Sequence, residues 1–237
     1  MDSSAQSPKA RSGEKKTAYT KFSDFLKRYR IVLFVVFGLA MLALIGVTVA
    51  TVISDAALKS SAASMEKLEA DFSAYQSEQD QAKKDALEKS VLASADAVAK
   101  QWKGRFAALR ALSYEAKIAE SKKSWADAEK NWLAIVDSAP DSYLAPVALH
   151  AAANAAEEQG ANDRALADYR KLVDKYGEKT VGIAHAYFSI GRLSEGTKDY
   201  AAAMTAYQKI VSTWPDSDWT KLATDRILFL KSHGLSK

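Results

Sequence analysis

The 237-residue sequence has no cysteine, only four prolines and only ten glycines. Without cysteine there are no disulfides, thiolate metal sites or cysteine nucleophiles, and no acylated cysteine to anchor a lipoprotein. The compartment stays open, because an oxidising one tolerates a cysteine-free protein. So little proline and glycine excludes a sandwich of short strands and many turns, and the composition points to an all-α chain. Enzyme signatures are also missing. There is no glycine-rich phosphate loop, no Gly-x-Ser-x-Gly elbow and no His-Glu-x-x-His. Carboxylates such as Glu157 and Glu158 fall on a regular helical pattern. Neither an enzyme nor a cofactor is expected.

What is present is unevenly distributed. Residues 1–30 carry eight Lys/Arg and three Asp/Glu, a balance of +5, while the whole chain is +4, leaving −1 for the rest. The larger part is therefore balanced, which argues against nucleic acid as a partner. Residues 1–30 read as a basic head, largely disordered, and residues 1–16 are polar without apolar period. Ile31 to Ile53 is an apolar run of 23 residues without a charge. As a helix it reaches roughly 35 Å, enough to cross a hydrocarbon core of about 30 Å. A cleavable signal peptide competes with this reading, and Thr48-Val49-Ala50 offers a small-residue cleavage site. The long head and long core favour an uncleaved span in contact with lipid. Lys27, Arg28 and Arg30 precede the run and Asp55 follows it. The positive-inside rule then places the N-terminus in the cytoplasm and residues 54–237 outside.

Residues 54–104 form a helical linker. Leu58, Ala62, Met65, Leu68, Phe72 and Tyr75 make one apolar stripe, and Leu87, Val91, Ala95, Val98 and Trp102 make a second. The polar stretch Ser77 to Lys84 is expected to bend or break the helix. The stripe over 55–102 has two readings: packing onto the next domain, or a short coiled coil that makes a homodimer.

Residues 105–232 repeat. Trp125-Ala126-x-Ala128-x3-Trp132-x2-Ile135-Val136-x3-Pro140 returns as Tyr200-Ala201-x-Ala203-x3-Tyr207-x2-Ile210-Val211-x3-Pro215, at an offset of 75. Ala165, Tyr169, Leu172, Val173 and Gly177 form a copy between them, offset 37 from the first and 38 from the last. Such a period means stacked supersecondary units. Alanine allows helices to approach, the aromatic four residues on fills the space between pairs, and proline or glycine ends the helix. A further helix is expected before each copy, over 105–121, 143–159 and 181–196. Asp141-Ser142 and Asp216-Ser217 are positioned to cap the helices that follow. Residues 219–230 form a closing helix, and 233–237 a tail. The aromatics Trp125, Trp132, Tyr169, Tyr200 and Tyr207 are core by spacing. His150, His185 and His233 lack ligand spacing, and the near-equivalent repeat positions of the first two explain them better than a metal does.

These motifs resemble the tetratricopeptide repeat family. The third copy shows the pattern best, with Tyr187, Ile190-Gly191, Tyr200, Ala203, Tyr207 and Pro215. The second has Leu149, Ala153, Gly160, Ala165 and Tyr169, with Gly177 in place of the proline. The first has Leu112, Ala116, Trp125, Ala128, Trp132 and Pro140. The extra length of the period falls at 140–146 and 215–219 and looks like the variant repeats of bacterial cell-envelope proteins. The resemblance implies an α-solenoid whose first helices line a groove for protein or peptide partners. Carried over position by position, that groove comprises Arg110, Lys117, His150, Asn154, Glu157, His185, Phe188 and Arg192. They do not reproduce the paired clamp with which chaperone-binding relatives hold a terminal carboxylate. In architecture the chain resembles the YfgM-type ancillary subunits of the Sec translocon: single-pass in the bacterial inner membrane, with periplasmic repeats beside a membrane-anchored chaperone. It also resembles the Tol–Pal-associated coordinator, an envelope or division adaptor normally released by signal cleavage. A holdase chaperone acting without the translocon is a third reading.

Overall fold

The computed structural model describes residues 18–177 and 180–235. Residues 1–17, where most of the expected disordered head falls, lie outside them. Among the described residues every regular element is an α-helix: α1 (Ala18–Ser77), α2 (Gln81–Gln101), α3 (Phe106–Ser121), α4 (Trp125–Ser138), α5 (Leu144–Glu158), α6 (Asn162–Tyr176), α7 (Ile183–Gly196), α8 (Tyr200–Thr213) and α9 (Asp218–Ser232). The chain divides into two compact units, Met1–Leu58 and Lys59–Lys237.

In the first unit the apolar run is exposed along its length, Ile31, Phe34 and Leu42 by 66–76%. It is a candidate membrane span by length and composition. Within the head, residues 18–30 are helical and form the first part of α1. Phe22, Phe25, Leu26 and Tyr29 recur at helical spacing, and the Phe25 and Tyr29 rings, one turn apart, lie 5.0 Å apart. There is no proline or glycine between 18 and 30 to interrupt the helix.

In the second unit Met65, Leu68, Phe72 and Tyr75 of α1 share a core with Val91, Ala95 and Val98 of α2 and with Ala107, Ala111, Tyr114 and Ile118 of α3. Most of both linker stripes is thus buried within the chain, while Leu58 and Ala62 stay exposed. The break between α1 and α2 falls in the polar stretch. Glu78 Oε1 accepts from the Gln79 and Asp80 amides at 2.8 and 2.9 Å, and Asp80 caps α2 by accepting from Lys83 N at 3.0 Å.

Helices α3/α4, α5/α6 and α7/α8 are the three repeated pairs, each helix packing on its neighbours in sequence, and α9 closes the stack against α8. Ala128, Ala165 and Ala203 are fully buried, as are Tyr169 and Tyr207, with Trp132 at 6% exposure. Trp125 and Tyr200 are only half-buried. Gly177 closes α6 with φ 71°, a left-handed conformation that glycine adopts without cost.

The two expected caps diverge. Ser217 caps α9 by accepting from Trp219 N at 3.3 Å. Ser142 does not cap α5: the helix is entered at Tyr143 in right-handed helical geometry, and no side chain caps it. A cap needs extended backbone. The tight turn here, with Ala145 N donating to Ser142 O at 3.1 Å, does not provide it, and Ser142 Oγ is buried without a partner.

Candidate functional site

Each repeated pair ties its large aromatic to a glutamate on its own first helix. Trp132 Nε1 donates to Glu120 at 2.7 Å, Tyr169 OH to Glu157 at 3.2 Å and Tyr207 OH to Glu195 at 2.6 Å, always twelve residues apart. Two of these glutamates also hold an arginine from the next first-helix position. Arg192 of α7 pairs with Glu157, and Arg226 of α9 pairs with Glu195, its Nε donating at 3.0 Å. Burial alone would raise the Glu195 carboxyl, but the bonds from Arg226 and Tyr207 outweigh it and hold it below the usual range. Burial, with the bond to Glu195, pushes the Tyr207 phenol up.

The second and third copies also meet at a histidine pair. His150 Nε2 and His185 Nδ1 are 2.7 Å apart, with one ring donating and the other accepting. Asn154 approaches His150 Nδ1 at 3.5 Å and accepts from Tyr169 OH, while buried Ser189 lies 3.5 Å from His185 Nε2. The Trp219 ring packs on His185 at 4.5 Å between centroids. Burial, then the neighbouring His185, pushes His150 down to about 4. Burial also lowers His185, although Glu157 opposes it. Both rings are therefore neutral near pH 7.

Of the eight expected groove residues, five form one connected cluster: His150, Asn154, Glu157, His185 and Arg192. Three stand elsewhere. Arg110 donates to Tyr114 OH at 2.8 Å and pairs with Glu69 of α1 at 3.2 Å. The Lys117 ammonium lies 5.8 Å from the centre of the Tyr114 ring. Phe188 packs on Tyr207 and Trp219, at 5.5 and 5.2 Å between rings. In the first copy Arg110 and Lys117 turn towards Tyr114, because α1 and α2 pack beside it.

A concave pocket of about 580 Å³ opens where α3, α5 and α7 meet. Its lining adds Glu120, Trp125 and Glu158, which motif carry-over missed, to Asn154, Glu157, His185 and Arg192. One signal was available: Glu120, Glu157 and Glu195 keep the 37–38 residue period and stand in register with the aromatics. The pocket holds three carboxylates against one guanidinium, with an indole at its side. It suits polar recognition of a chain segment.

Comparison with known proteins bears on the repeats. Residues 147–178 and 185–217 match the tetratricopeptide repeat family model. These two segments are tetratricopeptide repeats. They coincide with the second and third copies, so the histidine pair joins one repeat to the next. A "TPR repeat-containing protein" of Treponema pallidum (strain Nichols) is 28% identical over 150 residues, which cover 63% of this chain and 62% of that protein. The match thus spans less than two thirds of that relative's length. Tetratricopeptide repeats are protein-interaction modules, so these two segments imply a protein-interaction scaffold.

Proposed function

We propose that this scaffold is tethered to a membrane by residues 31–53, with its repeats outside the cytoplasm, and that it assists protein translocation or folding at the Sec translocon. The observation that carries the tether is the exposure of the apolar run, which is unburied among the described residues of its own unit and would be costly in water. Lys27, Arg28 and Arg30 on one side, and Asp55 on the other, support a cytoplasmic N-terminus. The polar pocket favours hydrophilic stretches of a partner over greasy ones. Tethering raises the local concentration of the repeats near the membrane, so weak contacts suffice.

In-cell cross-linking followed by mild detergent solubilisation tests this reading. Recovery of translocon subunits or a membrane-anchored folding factor with the full chain is the expected result. Recovery of division or outer-envelope components alone replaces it with the envelope-adaptor reading.

A further inference from the structure

Two glutamate rungs share one plan, and the first is incomplete. Glu157 and Glu195 each accept from the aromatic of their own pair and from an arginine of the following first helix. Arg192 lies 35 residues beyond Glu157. Arg226 lies 31 residues beyond Glu195, and the steps of 35 and 31 from Glu120 land on Ala155 and Ala151, neither of which has a side-chain donor. Trp132 Nε1 fixes Glu120 Oε1 at 2.7 Å. Among the described residues no cation pairs with this carboxylate. The nearby Lys117 is engaged over Tyr114 and Lys122 pairs with Glu88 at 2.6 Å. The carboxylate faces the 580 Å³ pocket, which Trp125 also lines.

We propose that the pocket at Glu120 takes a positively charged side chain, arginine in preference to lysine, from an extended partner segment. This rests on the protein-binding reading of the groove and adds the chemistry of the occupant. The chain supplies the template, because its other two rungs show which group completes this arrangement. Arginine has the advantage over lysine for two physical reasons. Its planar fork matches a carboxylate held in fixed orientation, and its face stacks on an indole such as Trp125. Glu157 and Glu158 add negative potential along the pocket, and Arg192, already paired with Glu157, offsets only part of it.

The test uses full-length protein in detergent micelles and three fluorescein-labelled Gly/Ser/Gln decapeptides carrying two arginines, two citrullines or two glutamates at the same positions. Citrulline keeps the shape of arginine and removes the charge, so the unaltered protein already reports on the proposal. By fluorescence anisotropy the arginine peptide should bind at least tenfold tighter than the other two. E120Q, which keeps an acceptor for Trp132 Nε1, should remove that preference without changing the melting temperature. Equal binding of arginine and citrulline peptides overturns the proposal and leaves the groove standing, as does an arginine preference that survives E120Q. Binding of none of the three peptides overturns the groove reading, and this proposal with it.

Discussion

At the scale of single residues, the third repeat depends on a missing side chain. A Cβ placed on Gly191 would meet the Tyr207 ring, 2.6 Å from Cζ and 2.9 Å from Cδ1. Tyr207 is fully buried and its hydroxyl is held by Glu195, which Arg226 holds in turn. The ring cannot swing away without breaking that chain of bonds. Gly191→Ala should therefore cost about 1–3 kcal/mol, read as a lower midpoint in thermal or urea unfolding. A change under about 0.5 kcal/mol would show that the ring yields. Gly191 was legible in the sequence as part of the repeat motif. The bond from Tyr207 OH to Glu195 was not, because an aromatic at core spacing reveals nothing about where its polar tip points.

At the scale of elements, the α5–α7 junction is held at its polar face by two neutral histidines. The groups that face them are Tyr169 of α6, Asn154 and Glu157 of α5, Ser189 and Arg192 of α7, and Trp219 of α9. His150 has a folded-state value lowered from 6.5 to about 4. The unfolded chain therefore binds the proton more readily than the folded one between these limits. The stabilisation is complete above pH 6.5 and is lost as pH falls towards 4. The loss is at most about 1.4 kcal/mol per pH unit, reduced by solvent screening. Melting temperature should fall between pH 7 and 5, and His150→Gln should flatten that slope. An unchanged slope would show that other groups govern acid sensitivity. The positions of both histidines could be read from the repeat. Their mutual bond could not, since it depends on the stacking of two helices 35 residues apart.

At the scale of the whole molecule, the proposed anchor and the repeats fall in separate units. The span is a property of contiguous sequence, and the prediction about it follows from hydropathy. Leu42, 66% exposed within the run, is replaced by arginine at a cost of about 2.5–3.5 kcal/mol for a charge near the bilayer centre. Leu42→Arg should shift protein from the alkaline-resistant membrane fraction to the soluble fraction. Retention equal to the unaltered chain would argue against a transmembrane placement.

The sequence by itself determined the helical class, the apolar run, the period of the repeats and most helix ends. Each of these follows from local periodicity or from residues that end a helix. It also suggested a cap at Ser142 that the geometry of its turn does not allow. Only the tertiary structure decided which groove residues act together. Arg110 and Lys117 fall to the side of α1 and Tyr114, and Glu120 and Trp125 take their place at the pocket. The reason is physical. Which face of a helix is free depends on what packs against its neighbours, and the first repeat has α1 and α2 beside it while the second lies between repeats and the third ends on α9.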